Sequence, residues 1–179
     1  MATSEPNRIG LPFEVKPHAY DPAANPELFE DVLARRLVAF VIDLVILAIP
    51  VALAAMFIFA AGIITFGLGF FLYALMPPAI IVWVLAYYGL TFGSPRSATI
   101  GMRVMDLEMR TWYGAPAYFV LGAVHAIVFW VSVSALTPFI LLVCFFNERR
   151  RFLHDILVGT VVINNELRAN MLRAARRSD

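Results

Sequence analysis

Between Arg36 and Arg96 every residue but one is apolar, small, aromatic or uncharged polar; the exception is Asp43. Such a run holds two helices of roughly 20 residues, the length that crosses a ~30 Å hydrocarbon core. The first is expected over Leu37 to about Ala61 and the second over about Phe70 to Leu90, with the uncharged Gly62–Gly69 stretch between them. Pro77-Pro78 inside the second should remove backbone hydrogen bonds and kink it. A third apolar block, 111–147, has no formally charged side chain and one histidine, His125. Its stretch from Pro116 to Phe146 is longer than one crossing needs at ~1.5 Å per residue. Ser132–Pro138 is a natural break, so Pro116–Phe146 reads as a helical hairpin, with one long tilted helix as the alternative.

Polar segments frame these blocks. Residues 1–32 are rich in proline and acidic side chains and read as a mostly disordered or extended arm. Within it, Glu27–Leu33 suits a short amphipathic helix at the membrane surface. Thr91 to Tyr113 carries Arg96, Arg103, Asp106, Glu108 and Arg110 among turn residues. Met102–Met109 reads as a short strand there, and the β-branched Thr160–Ile163 as a second; paired, they would form a small cytoplasmic ribbon. Residues 165–179 read as a basic amphipathic tail in which Leu167, Met171 and Ala174 share a helical face, either resting on anionic lipid or standing as a solvated tail. The expected fold is an all-α membrane protein. It is a small polytopic helical bundle over 33–164, with two full spans, a third apolar segment and a short β-ribbon.

Composition agrees: 61% of the 179 residues are hydrophobic and 15% charged, against roughly 45–50% and about 25% in soluble domains. The first apolar run exceeds the ~7–15 residues of a signal-peptide core and follows an acidic segment, so it reads as a retained anchor. Cys144 is the single cysteine, which leaves no disulfide framework or thiolate metal site. Arginines flank the blocks at Arg35-Arg36, in the middle loop and at Arg149–Arg151. All three clusters fit the cytoplasmic side, which places the N-terminus there too.

Few residues carry chemistry. Asp43 follows Arg36 by seven positions, two helical turns, so the two share a stripe about 10 Å apart along the axis. An ionised aspartate at a helix centre costs ~2.5–3.5 kcal/mol on the insertion scale. Asp43 should therefore find a donor on another helix or stay protonated; His125 and the terminal arginines are the candidates. Beyond the last block lie Arg151, His154 and Asp155. The arginines suit a topology anchor, and the His154-Asp155 pair either a structural hydrogen bond or proton handling. No nucleophile set, HExxH, CxxC or phosphate-binding glycine loop occurs, which speaks against an enzyme and against a bound cofactor or metal. Basic residues are not interleaved with exposed aromatics, so nucleic acid is not an expected partner.

Three segments together resemble the RDD family of bacterial membrane proteins, named for an arginine and two aspartates. Arg36-Leu37-Val38-Ala39-Phe40-Val41-Ile42-Asp43 resembles its opening motif. Gly93–Arg96 through Thr99–Asp106 resembles its glycine-containing segment leading into an RVxD-like strand, and Leu153-His154-Asp155 through Gly159-Thr160-Val161-Val162 its closing motif. By position Arg36, Asp43 and Asp155 are the signature residues. One departure is His125, which stands where family members often place an arginine. The resemblance implies a multi-pass protein of the bacterial inner membrane, with transport of an ion or small solute suggested for the family. Two readings follow. One is a small transporter or transport subunit using the Asp43/Arg36 pair, with homo-oligomers or a membrane partner completing the path. The other is a non-transporting scaffold in which the signature residues fix helix packing.

Overall fold

The computed structural model describes residues 19–136, 143–144, 146 and 148–178. Its backbone is mostly helical, with two helical segments long and apolar enough to cross a membrane and one two-stranded sheet. Helix α1 spans Val32–Ile64 without interruption, and Pro50 lies inside it. At ~1.5 Å per residue, 33 residues reach about 50 Å, more than a bilayer's hydrocarbon thickness. The N-terminal turns therefore stand in the interface, where Arg35 and Arg36 are affordable. Large apolar side chains along α1 point outward, including Phe57 at 72% and Ile64 at 77% exposure. Surfaces of that kind are stable against lipid and not against water.

Phe66 and Gly67 both adopt the left-handed backbone, and the chain reverses into a 3-10 segment, Leu68–Leu75, packed back on α1. Helix α2, Met76–Phe92, follows. Pro77 and Pro78 open this helix and do not kink it. A proline there costs nothing, because the first-turn amides have no intrahelical acceptor to lose.

The middle loop also differs from expectation. In place of a strand over Met102–Met109, a helical turn comes first: α3, Ile100–Val104, whose N-cap Thr99 accepts from the Met102 amide at 3.1 Å. Strand β1, Leu107–Thr111, then pairs antiparallel with β2, Thr160–Asn164, in the register Leu107↔Asn164 to Thr111↔Thr160. The expected ribbon is present. Leu107, Met109, Val161 and Ile163 are buried in it.

Helix α4, Phe119–Leu136, packs on α2. The second arm of the expected hairpin lies largely outside the described residues. Helix α5, Leu153–Val158, leads into β2, and α6, Glu166–Ser178, ends the chain. Of the expected loose arm over 1–32, residues 1–18 lie outside the described residues, and residues 19–31 are tied down: Asn164 Nδ2 donates to the carbonyls of Glu27 and Glu30, both at 2.9 Å. Arg173 and Arg176 of α6 pair with Glu27 and Glu30. The expected amphipathic helix over Glu27–Leu33 is instead a 3-10 turn, Pro26–Leu28, followed by the start of α1.

Candidate functional site

Two buried carboxylates organise the domain, and they are held by different means. Asp43 sits on the inward face of α1. Its Oδ1 accepts from the Tyr87 hydroxyl of α2 at 2.5 Å and from the Gly101 amide of α3 at 2.7 Å. Glycine at 101 makes the second bond geometrically feasible. A Cβ there would press on the Ala39 carbonyl oxygen and come within 2.9 Å of Asp43 Oδ1. Two neutral donors thus join three helices at one carboxylate.

Asp155 lies in α5, outside the spanning helices, with its side chain fully buried. Arg36 of α1 grips it with both terminal nitrogens, Nη1 to Oδ2 at 2.6 Å and Nη2 to Oδ1 at 3.1 Å. His125 Nε2 of α4 lies 2.9 Å from Oδ1, and the Phe152 amide donates to Oδ2 at 3.0 Å. Each oxygen has two donors, so the carboxylate is saturated. Burial alone would push this carboxyl up; the Arg36 guanidinium outweighs it, with the His125 hydrogen bond adding, and holds Asp155 well below the usual carboxylate range. The group is ionised, so His125 Nε2 must carry the hydrogen it shares with Oδ1.

His154 stands beside this pair without joining it as a charge. Its Nε2 is 3.6 Å from Asp155 Oδ1, too far for a hydrogen bond. Burial brings the imidazole down to about 3, against the upward pull of Asp155. It is therefore neutral, and its ring packs edge-on against His125 at 4.8 Å and Phe129 at 5.1 Å. The Arg36 guanidinium lies over Phe152, 4.4 Å from its centroid. Arg151 closes the turn from α5 into β2, donating to the carbonyls of Thr160 at 2.8 Å and Asp155 at 2.9 Å while lying over Trp112.

Arg36, His125, His154 and Asp155 are thus brought together, with Arg151 binding the backbone beside them. The expected Arg36–Asp43 pair is not formed. A shared helical stripe brings two side chains to the same face, but ~10 Å along the axis is beyond ion-pair reach, and Arg36 turns to α5. Tyr87 and Gly101 were not among the sequence candidates. The one available signal was Tyr87 itself, since a hydroxyl in an apolar helix needs a partner.

His125, His154 and Asp155 also offer one ligand atom each, all within 4.8 Å of one another. Both Asp155 oxygens are already engaged, and a divalent ion there would stand against the Arg36 charge in a poorly screened site. The donor set does not suit a metal while that pair stands. Beside both carboxylates a cavity of about 590 Å³ runs between α1 and α4, lined mainly by apolar side chains and reaching Arg36, Asp43, His125 and His154.

No curated protein and no solved structure matches the chain. A family model described as the RDD family matches residues 32–159, which takes in α1 through α5 and all of Arg36, Asp43, His125, Arg151, His154 and Asp155. The chain is therefore a membrane protein of the RDD family.

Proposed function

We propose that this protein is a non-transporting accessory module of the bacterial inner membrane, with its N-terminus in the cytoplasm, and that it is not an enzyme. In this reading the signature residues hold the helices in one arrangement. The carrying observation is saturation. Asp155 has two donors on each oxygen, and Arg36 spends both terminal nitrogens on it. An ion path needs polar groups that can exchange partners, and these have none to spare. The orientation is supported by arginines at one end of the bundle. Arg35 donates to the Met105 carbonyl at 2.6 Å, close to where Arg36 meets Asp155. A second copy or a membrane partner protein would be the object of such a module.

One observation favours the second reading, transport of an ion or small solute. The cavity between α1 and α4 touches Arg36, Asp43, His125 and His154. Intramembrane carboxylates beside a cavity commonly mark pathways. Purified parent and Asp43→Asn proteins in liposomes separate the two, read by proton and alkali-cation flux alongside stability in detergent. Absence of flux from the parent supports the accessory role. Parental flux that Asp43→Asn abolishes at unchanged stability overturns it in favour of transport.

A further inference from the structure

The cavity is built as a cleft between two helix faces. From α1 it takes Leu33, Leu37 and Phe40, which recur at one-turn and two-turn spacing; from α4 it takes Ala126, Phe129 and Val133. Phe40 and Phe129 meet across it with ring centroids 5.6 Å apart. At about 590 Å³ it falls within the roughly 300–1,000 Å³ of sites that enclose a small molecule. Water is a poor occupant, because apolar cavities stay dry. Leu37, which lines the cleft, is also 66% exposed on the outer surface of α1. The cleft wall is thus continuous with the face that meets the acyl chains.

The polar end has its own character. Arg36 lines the cleft but is spent on Asp155. Arg151 is spent on backbone carbonyls, and Arg149 donates to the Tyr20 carbonyl. Arg150 is different. It is exposed, and it makes no hydrogen bond or ion pair with another described residue. It lies two positions before Phe152, which lines the cleft. Among the described residues the Arg150 guanidinium is thus unspent, two positions along the chain from the lining of an apolar slot whose wall continues into the lipid-facing surface.

We infer that the cleft holds one anionic phospholipid of the surrounding bilayer, with an acyl chain between α1 and α4 and its phosphate on Arg150. Guanidinium and phosphate match in charge and in hydrogen-bonding geometry. The chain fills a cavity that, among the described residues, leaves Phe40, Phe129 and Val133 without partner atoms on one side. The inference rests on the membrane placement alone, so it holds equally for an accessory protein and for a transporter.

The test is native mass spectrometry of the full chain in mild detergent. The protein is first stripped of lipid, then titrated with phosphatidylglycerol or phosphatidylcholine. The parent is expected to retain one phosphatidylglycerol per protomer in preference to phosphatidylcholine. Arg150→Gln, a surface change, should reduce that preference roughly fivefold, the equivalent of one arginine at an anionic surface. Val133→Trp should fill the slot and abolish retention of both lipids at unchanged helicity. Leu37→Trp fills it from the opposite, exposed wall should Val133→Trp fail to fold. Equal retention of the two lipids by the parent overturns the inference. So does an undiminished preference in Arg150→Gln, or undiminished retention in a folded tryptophan variant. Liposome flux is read separately, so loss of the lipid site leaves the functional reading standing, and the reverse.

Discussion

Asp43 and Asp155 are both buried acids of one small domain, and they solve the problem of burial in opposite ways. Asp43 takes a phenol and a backbone amide, both neutral, so the three helices it joins carry one uncompensated carboxyl group among them. Asp155 takes a guanidinium and an imidazole in addition to an amide, and its charge is cancelled where it stands. The difference follows depth. Near the end of α1 the long arginine side chain can reach a carboxylate while its helix keeps one end in the interface. Two turns further in, lipid makes a second cation expensive, and donors without net charge are what remain. The rim is held by charge and the interior by hydrogen bonds.

That contrast breaks most readily at the rim. Asp155→Asn leaves Arg36 buried without a counter-charge and turns an amide group toward it, with an expected loss of about 3–5 kcal/mol. Thermal unfolding in detergent micelles reads it. Gly101→Ala comes next. Its methyl group would crowd the Ala39 carbonyl and the Asp43 oxygen, with an expected loss of about 1–3 kcal/mol for overpacking. A stability equal to the parent's would mean that α3 does not approach α1 as described.

A smaller effect is expected with pH. His154 is held near 3 in the fold and near 6.5 when unfolded. The unfolded chain therefore binds the proton first as pH falls, and the stability contributed by a neutral His154 is lost downward from about 6.5. Between pH 7 and 5.5 the loss should be about 1 kcal/mol, and His154→Phe should flatten that slope. Asp155, also depressed, adds to the same downward trend only below its unfolded value near 4. The smallest change is Asp43→Asn. Its amide oxygen can still accept from Tyr87 and Gly101, so the expected cost is under about 1 kcal/mol. Equal losses for the two amide variants would erase the distinction between rim and interior.

Much of the frame is legible in the sequence. The start of α1 near its arginine pair, the ribbon between the middle loop and the β-branched 160–163 run, and the family all came from pattern and motif. Local chemistry misled in particular places. Pro77-Pro78 read as a kink because their position within the apolar run was visible and the true start of α2 was not. Residues 19–31 looked like a loose arm because Asn164 and Arg173, which fasten them, are more than 100 positions away. Helical spacing put Arg36 and Asp43 on one stripe and suggested a pair that does not form.

Taken alone, the sequence determined the solvent this protein lives in and the side chains that solvent would penalise, because both depend on composition over windows of tens of residues. Which acid Arg36 would choose was decided by the tertiary structure, across 119 positions of chain. A guanidinium's partner is set by the few ångströms between crossing elements, and periodicity within one helix carries no information about that distance.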